Sequence, residues 1–299
     1  MFSVRLRAAN ALLENLFPHI IKNRDQGKPD WSWDVWLKTR DDVSIYSWWY
    51  DSDKNNRNGT FFVLHGFTSN CGNPGYWHRP KELADKYGFC LGEIDFRHHG
   101  KSLNKSPTFG MAESWDLEAA LNYADSINAP KPYVLIGESL GGMAAQLVAI
   151  SDPRIKAAVC LQTPGWPWDA IGNALKERKK VVGIPFTGTA INAAYGFKIM
   201  SAGDIRTKEP NPEHQPYVLY IMGIHDKYKI DHTKQVWDHW YSGHAAEYNK
   251  TPTQASNQRK WFIEGPWYHS DENWNQSIMA GEGLANLVVE FMDFVLDSN

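Results

Sequence analysis

Residues 137–142 read Gly-Glu-Ser-Leu-Gly-Gly, one serine boxed by three glycines. A serine hydroxyl is a weak nucleophile at neutral pH and needs a general base and a group that orients that base. Where a strand turns sharply into a helix, the backbone crowds itself. Small residues are then required at Gly137 and Gly141, and Ser139 is lifted clear of the sheet in a strained conformation. Gly142 suits a close approach of that helix to a neighbouring strand. Partners for Ser139 occur later in the chain: Asp226 in GIHDKY (223–228) and His269 in PWYHS (266–270), with Asp231 and His244 as second candidates. The stretch VLHGFTSN (63–70) ends a strand in His65-Gly66. The backbone N–H of Phe67 there and the N–H of Leu140 are two donors for an oxyanion. The chemistry this equipment performs is acyl transfer through a covalent acyl-serine.

For these residues to meet, the elements carrying them must end on one edge of a sheet. Residues 31–42 and 43–52 read as a hairpin turned at Arg40-Asp41-Asp42. After it, short apolar runs at 59–67, 89–97, 133–137, 155–162, 217–223 and 259–265 alternate with helical segments at 79–88, 114–127, 140–150, 232–243 and 284–297. Continuous apolar strands alternating with helices indicate an α/β fold whose mostly parallel sheet is covered on both faces. Chemistry in such sheets gathers at the carboxyl ends of the strands, where Ser139, Asp226 and His269 all fall. The rhythm breaks between Thr163 and about Pro216, a stretch that reads as an insertion.

With HGF (65–67), DFRHHGKS (95–102), GESLG (137–141) and the Asp226 and His269 loops in this order, the chain resembles the α/β-hydrolase superfamily over roughly residues 31–299. It leans toward the monoacylglycerol lipase, lysophospholipase and carboxylesterase-like branch. The resemblance implies an α/β-hydrolase core at 31–162 and 216–299, with a cap inserted at 163–215. Residues 1–30 form a separate N-terminal helical segment outside the shared pattern. It also implies Ser139, Asp226 and His269 as a catalytic triad working without metal or organic cofactor. In one place the chain departs from the family, since His98 stands where the pattern D-x-R-G-H-G-x-S has its first glycine.

Composition bounds the partners. Among 299 residues, Lys and Arg number 31 and Asp and Glu 34, a formal charge of −3, without the basic excess that nucleic-acid binding demands. The three cysteines, Cys71, Cys90 and Cys160, form no C-x-x-C pair, which argues against a disulfide framework or a zinc site and favours a cytoplasmic setting. No apolar run has the length of a membrane span. Phe2, Leu6, Ala9, Leu13 and Leu16 recur at helical spacing before Pro18. That apolar face can dock on its own domain, on a second subunit as a homo-oligomer contact, or on a membrane surface.

The expected substrate is a small-molecule carboxylic ester with an apolar acyl or alcohol portion. The same triad also acts on amide, thioester or carbon–carbon bonds, and a non-catalytic ligand-binding homologue is the remaining alternative. Trp166 and Trp168 in PGWPWD are candidates to line an apolar substrate pocket or to pack the cap on the core. Glu138, beside the nucleophile, is a candidate to tune its surroundings or to hydrogen-bond under the cap. His98 and His99 have no acidic or cysteine companion at ligand spacing and read as structural.

Overall fold

The structure is a computed structural model that describes residues 2–17, 33–52, 57–103, 105–180, 184–195, 202–211, 213–240, 247–248, 259–265 and 282–298. The first two strands, β1 (Trp33–Lys38) and β2 (Ser44–Asp51), pair antiparallel as the hairpin pattern predicts. The turn closes where expected: the Asp42 amide donates to the Thr39 carbonyl at 3.0 Å, and Asp42 takes φ 61°, a left-handed angle that aspartate tolerates better than most residues.

The hairpin is joined to the parallel body through β4 (Phe89–Ile94), which pairs antiparallel with β2 and parallel with β3 (Gly59–Leu64). Four more strands follow in parallel: β5 (Tyr133–Glu138), β6 (Ile155–Leu161), β7 (Tyr217–Gly223) and β9 (Lys260–Gly265). A two-residue β8 (Glu247–Tyr248) adds to the β9 edge. The order is β1-β2-β4-β3-β5-β6-β7-β9-β8.

Strand periodicity divides the apolar residues between two faces. Phe61 and Val63 point into one core with Val134, Ile136 and Trp261, covered by α2 (Pro74–Tyr87) and α8 (Glu282–Asp297). Phe62 and Leu64 point into the other with Leu135 and Tyr220, covered by α3 (Met111–Ser126), α4 (Leu140–Ala149) and α7 (Ile230–His239). Every residue of β3, β4, β5 and β7 is buried, as strands covered on both faces must be.

Between β6 and β7 the chain inserts α5 (Pro167–Glu177), α6 (Ile184–Tyr195) and a short 3-10 turn at Ile205–Thr207. The N-terminal helix, α1 (Phe2–Leu16), packs against α6 and buries Ala9, Leu13 and Leu16 in the larger core. Of the three alternatives for that face, docking on its own domain accounts for Ala9, Leu13 and Leu16. None of the described helices is long and apolar enough to cross a membrane.

One boundary differs in a way that matters. The sequence reads a helix over 79–88, yet α2 begins at Pro74 and carries Pro80 inside. Pro74 is suited to a first turn, while Pro80 can donate no bond to the Tyr76 carbonyl and its ring crowds that group. The extra turn brings Tyr76 into the structure's most informative region.

Candidate active site

Parallel strands align their carboxyl ends, so Leu64 lies beside Gly137, Glu138 beside Leu161 and Gly223 beside Gly265. Ser139 sits at this edge, between β5 and α4, with φ 52° and ψ −109°. A non-glycine residue held there costs on the order of 1–3 kcal/mol, and the surroundings must over-determine it. They do. The Ser139 amide donates to the Leu161 carbonyl at 2.9 Å, and its carbonyl accepts from the Met143 amide at 3.0 Å. A β-carbon at Gly137 would lie 2.5 Å from the Gly141 carbonyl carbon, and one at Gly141 would lie 2.1 Å from the Leu64 oxygen. One at Gly142 would meet Thr163 Oγ1 at 1.9 Å, the close helix-to-strand approach that the sequence implies. The glycines permit a turn that the serine alone must endure.

Facing the serine is the turn after β3. The Phe96 amide donates to His65 Nε2 at 3.1 Å, which fixes Nδ1 as the protonated nitrogen that donates to the Gly66 carbonyl at 2.9 Å. Burial pushes the His65 pKa down, against the raising effect of Asp95 and the Gly66 carbonyl, so the ring is a neutral brace. Gly66 comes so close that a β-carbon on it would be 3.6 Å from Ser139 Cβ. Phe67 and Leu140 both line the cavity beside Ser139. Leu140 opens α4, and first-turn amides have no partner within a helix and carry its positive end.

Under this turn lies a pair that the sequence only half reveals. The Gly66 amide donates to the Tyr76 hydroxyl at 3.1 Å, and that hydroxyl also hydrogen-bonds the buried Glu138 carboxyl. Burial raises the Glu138 pKa to about 7, with the Tyr76 bond lowering it and the nearby Asp226 charge raising it. Glu138 thus lies at the cavity wall as a carboxyl poised between its two states. Nothing in the residue pattern singles out Tyr76, because its partner is ten residues away across a turn.

Asp226 stands half-buried just past β7, its amide donating to the Gly223 carbonyl at 3.0 Å. The Ile224 amide donates to the Gly265 carbonyl at 2.9 Å, so the chain leaves β9 beside the Asp226 loop. His269 and the second candidate His244 lie outside the described residues. Asp231 is exposed in the first turn of α7. The loop supplies a residue that sequence reasoning missed: Tyr228, which lines the cavity with Ser139 and whose amide donates to Asp226 Oδ1 at 2.8 Å. Burial drives the Tyr228 phenol well above its usual pKa, partly offset by the nearby Ser139, so it stays protonated.

The inserted α5 roofs the cavity with Ala170, Ala174 and Glu177. The structure does not bring Trp166 or Trp168 to it. Trp168 precedes Ala170 by two residues, about 200° around a helix, and is 44 % exposed. Trp166 stacks on His232 at 3.6 Å between ring centroids, under the Arg206 guanidinium, and so packs the insertion onto α7. His98 and His99 are fully buried in the loop after β4, and no three His, Cys, Asp or Glu among the described residues could hold a metal ion.

The profile of the alpha/beta hydrolase family matches residues 61–289. Among solved structures, the chain resembles the esterase Pf2001 of Pyrococcus furiosus, at 20 % identity and TM-score 0.65, covering 92 % of this chain and 98 % of that one. It also resembles mouse alpha/beta hydrolase domain-containing protein 10, at 17 % identity and TM-score 0.59, covering 89 % and 99 %. A third is Est1E of Butyrivibrio proteoclasticus, solved with ferulic acid bound, at 16 % identity and TM-score 0.58, covering 87 % and 99 %. Among curated protein sequences, none matches the chain. With the family profile spanning most of the chain and the strand order, glycine-framed turn and helical insertion all in place, this protein belongs to the alpha/beta hydrolase family.

Proposed function

We propose that the protein is a serine hydrolase that cleaves carboxylic esters with an apolar acyl or alcohol portion, through an acyl-enzyme on Ser139. The observation that carries this reading is the conformation of Ser139: a serine held at φ 52° on the carboxyl edge of the sheet, facing the Gly66–Phe67 turn across a cavity. Strain of that kind is retained where a reacting atom must be presented. In this mechanism His269 takes the serine proton as Oγ attacks the ester carbonyl, and Asp226 orients the imidazole and stabilises its charged form. The Phe67 and Leu140 amides receive the oxyanion, and their worth lies in being aimed before charge develops. His269 then returns the proton to the leaving alcohol, and water attacks the acyl-serine by the reverse route. Residues 163–215 serve as the cap over this site and residues 1–30 as a separate N-terminal segment.

The resemblance to the esterase Pf2001 agrees with this reading.

The test is intact-protein mass spectrometry after treatment with an alkyl fluorophosphonate, followed by peptide mapping. A single adduct on Ser139 is expected. An adduct elsewhere, or none while the protein is folded, overturns the assignment.

A further inference from the structure

Two departures from the family pattern, the N-terminal segment and His98, meet at one contact. His98 holds φ 71°, an angle that favours glycine and strains any residue with a β-carbon. In return its Nε2 hydrogen-bonds the carbonyl of Phe17, just past the end of α1. The final carbonyls of a helix have no partner within it. A second one, that of Asn15, is met by Lys180 Nζ from the stretch that follows α5. The end of α1 is thus latched from two sides, by the core loop after β4 and by the insertion.

The latch determines where one ring goes. Phe17 is fully buried, with its ring 5.9 Å from Phe67 at 87° and 5.2 Å from Phe109 at 67° between centroids. Phe67 and Phe109 are themselves 5.2 Å apart, and the Arg178 guanidinium sits 4.8 Å over Phe67. Phe67 and Phe109 line the cavity with Ser139. Phe17 is therefore the second layer of its wall: a ring supplied by the N-terminal segment that leaves Phe67 and Phe109 no room to retreat.

We propose that Phe17, held by His98, is a specificity-determining residue that sets the size limit of the acyl group, making the N-terminal segment part of the substrate site. This rests on the reading of Ser139 as the acylated nucleophile. Close packing transmits a change in a second layer to the first, because interiors hold few voids to absorb it. Each methylene admitted to an apolar pocket changes kcat/KM by roughly 10- to 200-fold, so the limit is legible in a chain-length series.

The experiment compares wild type, Phe17→Ala and His98→Gly on p-nitrophenyl acetate and octanoate, and on the rates at which methyl- and dodecyl-bearing fluorophosphonates label Ser139. The octanoate-to-acetate ratio of kcat/KM is expected to rise by at least about tenfold in Phe17→Ala and about threefold in His98→Gly, with the long-to-short labelling ratio rising in parallel. Folded variants whose ratios stay within about twofold of wild type would overturn the proposal. Should Phe17→Ala fail to fold, His98→Gly decides, since glycine is the residue its backbone angle favours. If that variant also unfolds, Phe17 is core packing and the proposal falls. Labelling of wild type anywhere but Ser139 would instead overturn the serine-hydrolase reading, and the size limit with it; normal Ser139 labelling with unmoved ratios overturns the size limit alone.

Discussion

The hydroxyl of Tyr76 accepts a hydrogen bond from the amide of Gly66 at 3.1 Å, and Gly66 immediately precedes Phe67, which lines the cavity with Ser139. Tyr76 acts through the loop as a positioning residue. Tyr76→Phe leaves the Gly66 amide without its acceptor, and we expect kcat to fall about tenfold with KM nearly unchanged, less than the 100-fold or more for removing a donor outright. Steady-state kinetics on a short p-nitrophenyl ester checks this. A change in KM alone would assign Tyr76 to substrate binding.

Glu138 makes stability depend on pH. Its pKa is raised from 4.5 to about 7, chiefly by burial, so the folded protein favours the neutral carboxyl. Below about pH 4.5 both states hold the proton and nothing is lost. As pH rises toward 7 the unfolded chain releases it while the fold retains it, and stability falls, with a cost of up to about 3 kcal/mol persisting above pH 7. Glu138→Gln keeps a side-chain oxygen for Tyr76 without the charge. Thermal unfolding between pH 4.5 and 8.5 should show a shallower loss in the variant, with its largest advantage over wild type at pH 8.5; parallel curves would remove Glu138 as the cause.

Tyr228 lines the cavity with Ser139. If its hydroxyl steadies the serine side chain before substrate arrives, Tyr228→Phe should slow fluorophosphonate labelling of Ser139 by about tenfold, the equivalent of one ordinary hydrogen bond. Unchanged labelling would make the contact incidental.

Backbone strain at Ser139 should appear as stability when it is released. Ser139→Ala keeps the β-carbon at φ 52°, whereas Ser139→Gly does not. We expect both to lose at least about 10³-fold in kcat, with the glycine variant more stable than the alanine variant by about 1 kcal/mol. Calorimetry would then place its Tm roughly 2 °C higher. Equal Tm values would mean the angle relaxes once the hydroxyl is gone.

The base is tested by substitution and by pH. His269→Ala should abolish turnover by at least about 10³-fold while His244→Ala retains it. In wild type, kcat/KM should rise through one ionisation near neutrality, because a histidine must be unprotonated to accept the serine proton. The reverse result for the two variants would transfer the role to His244.

Strand and helix alternation and the glycine-framed turn were legible because each rests on local rules: side-chain period and the need for small residues at a tight turn. The sequence by itself therefore determined the α/β class, the position of Ser139 at the strand ends and the presence of an insertion between β6 and β7. Only the tertiary structure decided which side chains surround the serine. Tyr76 reaches Gly66 across a turn, and Tyr228 joins Ser139 at the cavity from another loop, distances no periodicity records. Trp166 turned to His232 and Trp168 to solvent because α5 set their angles around its axis. Phe17 reached Phe67 and Phe109 from the far end of the chain because α1 buried its apolar face against α6 and its carboxyl end found His98. Such contacts depend on how elements pack in space, and packing complementarity is a property of surfaces brought together, written in no single stretch of the chain.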